Sequence, residues 1–243
     1  MGEDRPGSGA EIGVQPLERV KPPADRLYGR QRSHPLRPRQ QVLLTDTLPR
    51  LRLDITTAPA FPASVAEVWL EIGFGGGEHA HAQITAHPNA GLIACEVFEN
   101  GICSLLARLV PQGGEATAAL PGNLLVWPDD ARTLLRALPD ASIDRLFLLF
   151  PDPWPKARHA KRRFVHPAQL PEVARMLKPG AEWRIASDDP TYQDWTRAVL
   201  AAQTLFDVPP PATSRPDGWP PTRYEAKALL AGRRPLYWCL RRR

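Results

Sequence analysis

The sequence predicts an α/β architecture: a mostly parallel sheet with helices on both faces. Two observations carry that expectation. From residue 65 onward, short and nearly all-apolar runs alternate with segments whose apolar residues recur at helical spacing. The apolar runs are followed by glycine, proline or acidic residues. Strands buried on both faces read as continuous apolar runs, and helices between them cover a parallel sheet.

The elements follow in order. Val65–Ile72 is apolar-rich and ends at a glycine cluster, so it reads as a buried strand. Residues 78–87 read as a helix stopped by Pro88, and Gly91–Val97 as the second strand. Ile102, Leu105, Leu106 and Leu109 mark one face of a helix that Pro111 ends. Leu124–Trp127 is a short third strand, followed by a helix over Ala131–Leu138. Arg145–Phe150 is the fourth strand. Leu170, Val173, Ala174 and Leu177 mark a helix entered through Pro167 and stopped by Lys178-Pro179-Gly180. Glu182–Ala186 is the fifth strand, a helix lies near Tyr192–Ala202, and Leu236–Leu240 is the final strand candidate.

The chain has 243 residues, 43% hydrophobic and 23% charged, the balance of an ordinary globular chain with a sizeable core. Its 28 prolines are about double the usual share. Pro6, Pro16, Pro22, Pro23, Pro35 and Pro38 interrupt residues 1–40 without apolar periodicity. That stretch is expected to be a disordered or loosely docked basic arm, with one folded domain over 41–243. No apolar run reaches 18 residues, and Met1–Val14 lacks the apolar stretch of a secretory signal, so no membrane association is expected. Cys95, Cys103 and Cys239 are odd in number and lack metal-type spacing. They read as buried apolar residues in a reducing cytoplasm.

The formal net charge of +5 conceals segregation. Residues 26–52 hold seven basic residues and one acid, 154–163 five and none, and 226–243 six and none. The rest of the chain is acidic. A polyanionic partner would explain the segregation, because each neutralised phosphate releases condensed counterions.

Ligands of such sheets bind outside the carboxyl ends of the strands. After the first strand comes Glu71-Ile72-Gly73-Phe74-Gly75-Gly76-Gly77. Glycine permits the tight turn and close approach of a ligand. A dinucleotide fingerprint wants glycine where Glu78 stands, and no phosphate-loop lysine follows. After the second strand comes Glu96, placed to accept both hydroxyls of a ribose, and after the third Asp129-Asp130. Asp130 reads equally as a helix N-cap. Acids at three successive strand ends around a glycine turn suit a nucleoside with a cationic sulfonium tail, S-adenosyl-L-methionine. After the fourth strand comes Phe150-Pro151-Asp152-Pro153-Trp154-Pro155-Lys156, a stiffened turn with a stacking face, then a basic run. Enzymes that act on bases hold them between such faces, out of the stack.

At Glu71-Ile72-Gly73-Phe74-Gly75, at Phe150-Pro151-Asp152-Pro153-Trp154 with Lys156-Ala157-Arg158-His159-Ala160-Lys161-Arg162-Arg163, and at Thr222-Arg223-Tyr224-Glu225, the chain resembles the bacterial tRNA (guanine-N7)-methyltransferases. The resemblance covers about residues 40–243. It implies a Rossmann-like, seven-stranded S-adenosylmethionine-dependent methyltransferase fold whose last strand is antiparallel. It implies methyl transfer to guanine N7 at variable-loop position 46 of tRNA. Carried over, Glu71, Gly73, Gly75, Glu96, Asp130 and Asp152 would contact the cofactor, with Asp152 the active-site acid. Lys156, Asp188 and Thr222, Arg223, Tyr224 and Glu225 would contact substrate. Arg158, His159, Lys161, Arg162 and Arg163 would touch RNA. The family has a small residue, Thr, then Asp after the fifth strand, whereas this chain has Ala186-Ser187-Asp188-Asp189, so Asp188 and Asp189 compete.

Guanine N7 carries a free lone pair, so no strong base is required and Asp152 is expected to stabilise the cationic product or hold the guanine edge, a task Glu225 could share. His79 and His81 lie two apart on a helix and make a poor metal pair, and no metal is expected. Arg30, Arg32, Arg37 and Arg39 could order on RNA. No obligate protein partner is implied, and monomer or homodimer is left open. Three other readings stay open: another S-adenosylmethionine-dependent nucleic-acid base methyltransferase, a non-catalytic RNA-binding protein on the same fold, and, more remotely, a nicotinamide oxidoreductase.

Overall fold

The computed structural model describes residues 31–243. Most of the expected arm, Arg30 included, lies outside the described residues. The described part of it does not stay clear of the domain. A short helix α1, Pro38–Val42, leads through two tight turns over Leu43–Arg50. Pro38 starts this helix rather than breaking structure, because a first-turn proline forfeits no hydrogen bond. The boundary expected at 40/41 therefore falls inside α1. Arg39 pairs with Glu115 at 2.8 Å and Arg32 with Glu99, so two of the arginines expected to wait for RNA have partners in the domain.

The sheet has seven strands: β1 (Glu67–Ile72), β2 (Ala90–Cys95), β3 (Leu124–Trp127), β4 (Ile143–Leu149), β5 (Leu177–Ser187), β6 (Phe206–Asp207) and β7 (Leu236–Arg242). Their order is β3-β2-β1-β4-β5-β7-β6. β7 runs antiparallel to both neighbours, and the pairs among β1 to β5 are parallel, as the resemblance implied. Chain order reverses between β1 and β4, which opens a crevice at their carboxyl ends.

The helices are α2 (Glu78–Ala86), α3 (Glu99–Leu109), α4 (Ala131–Ala137), α5 (Leu170–Met176), α6 (Pro190–Ala201) and α7 (Arg223–Leu230). Side chains alternate across each strand. Leu70, Ile72, Leu146, Leu148, Trp183 and Ile185 join a core with α4, α5 and α6. Trp69 and Phe147 join the opposite core with α2, α3 and the Leu43–Leu51 turns. Cys95 and Cys103 are buried in these layers, and Cys239 is half-buried. Burial raises the Cys103 thiol to about 11, with help from Glu99, so it stays protonated at neutral pH.

Besides α1 and β6, which the apolar pattern did not mark, two elements depart from it. Lys178-Pro179-Gly180 does not separate α5 from the next strand. β5 already pairs at Leu177 with Ile143, and the turn signal is absorbed as a register shift before Arg145 meets Glu182. The proline-heavy stretch before residue 222 leads into α7, a helix the apolar pattern did not mark, whose buried residues are Glu225 and Ala228.

Candidate active site

The β1 turn takes the chain from sheet to α2 through glycine. Gly75 has φ +57°, a left-handed conformation, and a Cβ there would lie 2.9 Å from the Tyr224 ring. Tyr224 of α7 therefore rests on the glycine turn, joining two motifs about 150 residues apart. From the other side, Gly101 of α3 packs on the same turn.

Glu96, at the end of β2, holds the turn in place. It is 9% exposed, and its carboxylate accepts the Gly75 N–H at 2.7 Å, Val97 N–H at 2.7 Å and Phe98 N–H at 3.0 Å. Burial raises its pKa above the usual carboxylate value; the three amides oppose the shift and the nearby Asp152 adds to it. A carboxylate has about four acceptor directions, so one remains.

Glu71 does not meet the expectation of a crevice-facing acid. It is 2% exposed, and its Oε2 lies 3.0 Å from His79 Nδ1, close but poorly aligned for a hydrogen bond. Strand alternation turns it to the α2 side, whereas Ile72 and Gly73 line the crevice. His79 also contacts Gln83 at 3.0 Å, so this histidine belongs to the buried support of the turn.

At the end of β4 the backbone is strained. Phe150 (φ +53°) and Trp154 (φ +44°) flank Pro151-Asp152-Pro153. Bulky residues in that region cost about 1–3 kcal/mol each and persist only where surroundings enforce them. The result presents Asp152 and Trp154 to a cavity of about 630 Å³ that Gly73, Gly75, Glu96 and Tyr224 also line. A smaller cavity of about 140 Å³ shares Gly73 and Glu96 and adds Asp129 and Asp130. Asp130 is also the N-cap of α4, accepting the Arg132 N–H at 2.8 Å, so capping leaves it on the cavity wall.

The remaining expected residues divide. Lys156, Arg158 and Lys161 are exposed on or beside a 3-10 turn, Ala157–Arg162, with His159 between them. Arg162 instead lines both cavities, its guanidinium 4.8 Å over the Trp154 ring. Arg163 differs from its neighbours: it is 4% exposed and donates to the Pro153 and Trp154 carbonyls. Thr222 and Glu225 form the capping box of α7, and Glu225 also accepts the Tyr237 hydroxyl at 2.7 Å and pairs with Arg215 at 3.2 Å. Glu225 is thereby occupied inside the fold. Arg223 is exposed, 5.4 Å over the Tyr224 ring. Asp189 caps α6 by accepting the Tyr192 N–H at 2.9 Å, and Asp188 pairs with Arg233, which separates the two competing acids.

Sequence reasoning missed Phe98 and Phe164 as crevice walls, and Gly101 as a contact of the glycine turn. An isolated glycine inside an amphipathic helix was the available signal for the last.

The comparisons agree with this geometry. A family model described as "Putative methyltransferase" matches residues 65–237. A tRNA (guanine-N(7)-)-methyltransferase of Granulibacter bethesdensis is 66% identical over 220 residues, 90% of this chain and 96% of that one. One of Rhodospirillum rubrum is 46% identical over 237 residues, covering 92% and 90%. Among solved structures, an antibiotic-related methyltransferase superposes with a TM-score of 0.55 at 13% identity, over 79% of this chain and 99% of that chain, which establishes shared fold alone. A glycine turn latched by Glu96, a strained Asp152 turn and two-thirds identity across nine-tenths of the chain converge on one assignment: the chain belongs to the tRNA (guanine-N7)-methyltransferase family.

Proposed function

We propose that this chain methylates guanine N7 in tRNA, at variable-loop position 46, with S-adenosyl-L-methionine as methyl donor. The observation that carries the reading is the crevice at the β1/β4 switch point, where Glu96, Asp152, Trp154 and Tyr224 share one cavity. Its volume of about 630 Å³ lies within the ~300–1,000 Å³ of small-molecule sites.

The residues suit the donor. Glu96 has one acceptor direction left, enough for one ribose hydroxyl without releasing Gly75. Asp129 and Asp130 edge the adjoining cavity, where Cys95 and Phe164 supply apolar wall. Acids around the crevice favour a cation, and a positive ligand would relieve the repulsion between Glu96 and Asp152. When bound, the donor supplies an electrophilic methyl on sulfonium.

Guanine N7 needs no deprotonation, so the protein's task is placement and charge. Trp154 and Tyr224 offer faces for a base removed from its stack. The rigid turn holds Asp152 in fixed relation to both, and positioning of reactants can supply roughly 7–11 kcal/mol. The Asp152 carboxylate stabilises the positive charge that develops on the methylated base. Lys156, Arg158 and Lys161 stand outside the crevice, where tRNA phosphates would lie.

Incubation with labelled donor and unmodified tRNA, followed by nucleoside analysis, should yield 7-methylguanosine. A tRNA with its variable-loop guanine replaced should yield none. Asp152→Ala should lower the single-turnover rate by about 10²–10³-fold, the scale of one lost charge-stabilising group, while tRNA affinity changes little. Label recovered in adenosine, or an Asp152→Ala variant at full rate, would contradict the proposal.

A further inference from the structure

The basic run after the Asp152 turn contains one arginine that cannot act as its neighbours do. Lys156, Arg158 and Lys161 are exposed, but Arg163 is 4% exposed. Its guanidinium points back under the turn. Nε donates to the Pro153 carbonyl at 3.1 Å and a terminal nitrogen donates to the Trp154 carbonyl at 3.0 Å. The plane lies 4.9 Å over Trp195 of α6, whose indole N–H donates to the Val165 carbonyl at 2.6 Å. The Arg163 N–H itself donates to the Ala160 carbonyl at 3.0 Å, fixing the segment from which the side chain projects.

These contacts meet the strained backbone at its weak point. Phe150 is anchored from the sheet side by its N–H to the Ala186 carbonyl, 2.8 Å. The downstream half, Pro153 and Trp154, pairs with no strand among the described residues, and Trp154 carries φ +44°. Without a restraint there, the turn would relax toward ordinary dihedrals and carry Asp152 and the Trp154 ring with it. Two neighbouring carbonyls need two donors in a fixed plane, which guanidinium provides and ammonium does not.

We infer that Arg163 is a positioning residue: it clamps the carbonyls of Pro153 and Trp154 so that Asp152 and Trp154 stay aimed into the crevice, and it makes no contact with RNA. The inference rests on the methyl-transfer reading above and deepens it. It also divides the basic run into an outer set for phosphate, Arg162 on the crevice wall and one inner strut.

Arg163→Lys separates the two roles, because it keeps the charge and loses the fork. Lysine serves phosphate as a point charge, so an RNA contact would survive the change. The measurement is the single-turnover methylation rate at saturating donor and tRNA, normalised to donor-binding sites, beside tRNA affinity across a salt series. The expected result is a rate at least tenfold lower for Arg163→Lys, since a misplacement near 1 Å costs about 10²-fold. tRNA affinity should stay within threefold, with an unchanged salt slope. Arg163→Ala should recover part of its rate in millimolar guanidinium, and wild type should not respond. If the Arg163 variants do not fold, Trp195→Leu keeps the fork and removes its platform, and should lower the rate with the salt slope intact. A rate within twofold of wild type in Arg163→Lys, or in Trp195→Leu where that variant is used, overturns the inference. So does a salt slope reduced by about one, which marks a lost phosphate contact. Wild type that makes no 7-methylguanosine would instead defeat the methyl-transfer reading, a distinct outcome visible before any variant is assayed.

Discussion

Gly101→Ala is a substitution for which local propensity and tertiary geometry give opposite signs. Gly101 lies inside α3, where alanine is favoured over glycine by about 0.8–1.0 kcal/mol. A Cβ at this position, however, would sit 2.1 Å from the Gly75 carbonyl oxygen, which is backbone of the glycine turn. An unforced carbon–oxygen contact is about 3.3–3.6 Å, so helix and turn must part by roughly 1 Å. Overpacking of that kind costs about 1–3 kcal/mol, leaving a net loss of up to about 2 kcal/mol after the helix gain. At about 2–4 °C per kcal/mol for a chain this size, the melting temperature should fall by up to about 8 °C. Donor affinity should suffer more, because the displaced atoms belong to the turn that Glu96 latches and Tyr224 covers. A 1 Å displacement predicts at least a tenfold weaker dissociation constant for S-adenosylmethionine by calorimetry. A variant that melts higher than wild type and binds donor equally would show that α3 and the turn do not press on each other, and would refute the reasoning.

Further expectations follow from single contacts. The Glu96 pKa is raised, so its contribution to folding stability is present below its unfolded value and lost as pH rises through the folded one; donor binding uses the ionised form and runs the other way. Calorimetric donor affinity should therefore weaken on acidification at a pH above the ordinary glutamate range of about 4.3, and Glu96→Gln should abolish that dependence; superimposable profiles would reject it. Tyr237→Phe removes the hydrogen bond to the buried Glu225 carboxylate and should cost about 1–3 kcal/mol, read as a lower melting temperature. Lys161→Ala should reduce the slope of log tRNA affinity against log salt by about one, with the rate at saturating tRNA preserved; an unchanged slope would place Lys161 off the RNA.

Legibility in the sequence tracked the range of the interaction. The central strands and most helices were readable because periodicity is local. The crevice was locatable because ligands of parallel sheets gather at strand ends, and the Asp152 turn stands there. The failures share a cause. β5 swallowed an apparent helix-stop because the register with β4 tolerated a bulge, which no local pattern encodes. α7 escaped notice because its capping box and the partners of Glu225, Arg215 and Tyr237, hold a helix with little apolar face.

By itself, then, the sequence determined the layered α/β class, the glycine turn, the acids at strand ends and the family these motifs belong to. Tertiary structure decided which acids face the crevice. Glu96 and Asp152 reach the crevice, whereas Glu71 turns to His79 and Glu225 to Tyr237. It also decided that, in one basic run, Lys161 faces solvent and Arg163 the interior. A residue's chemistry is written at its own position, but its direction and burial depend on segments far away in the chain. Only the closed fold supplies those neighbours.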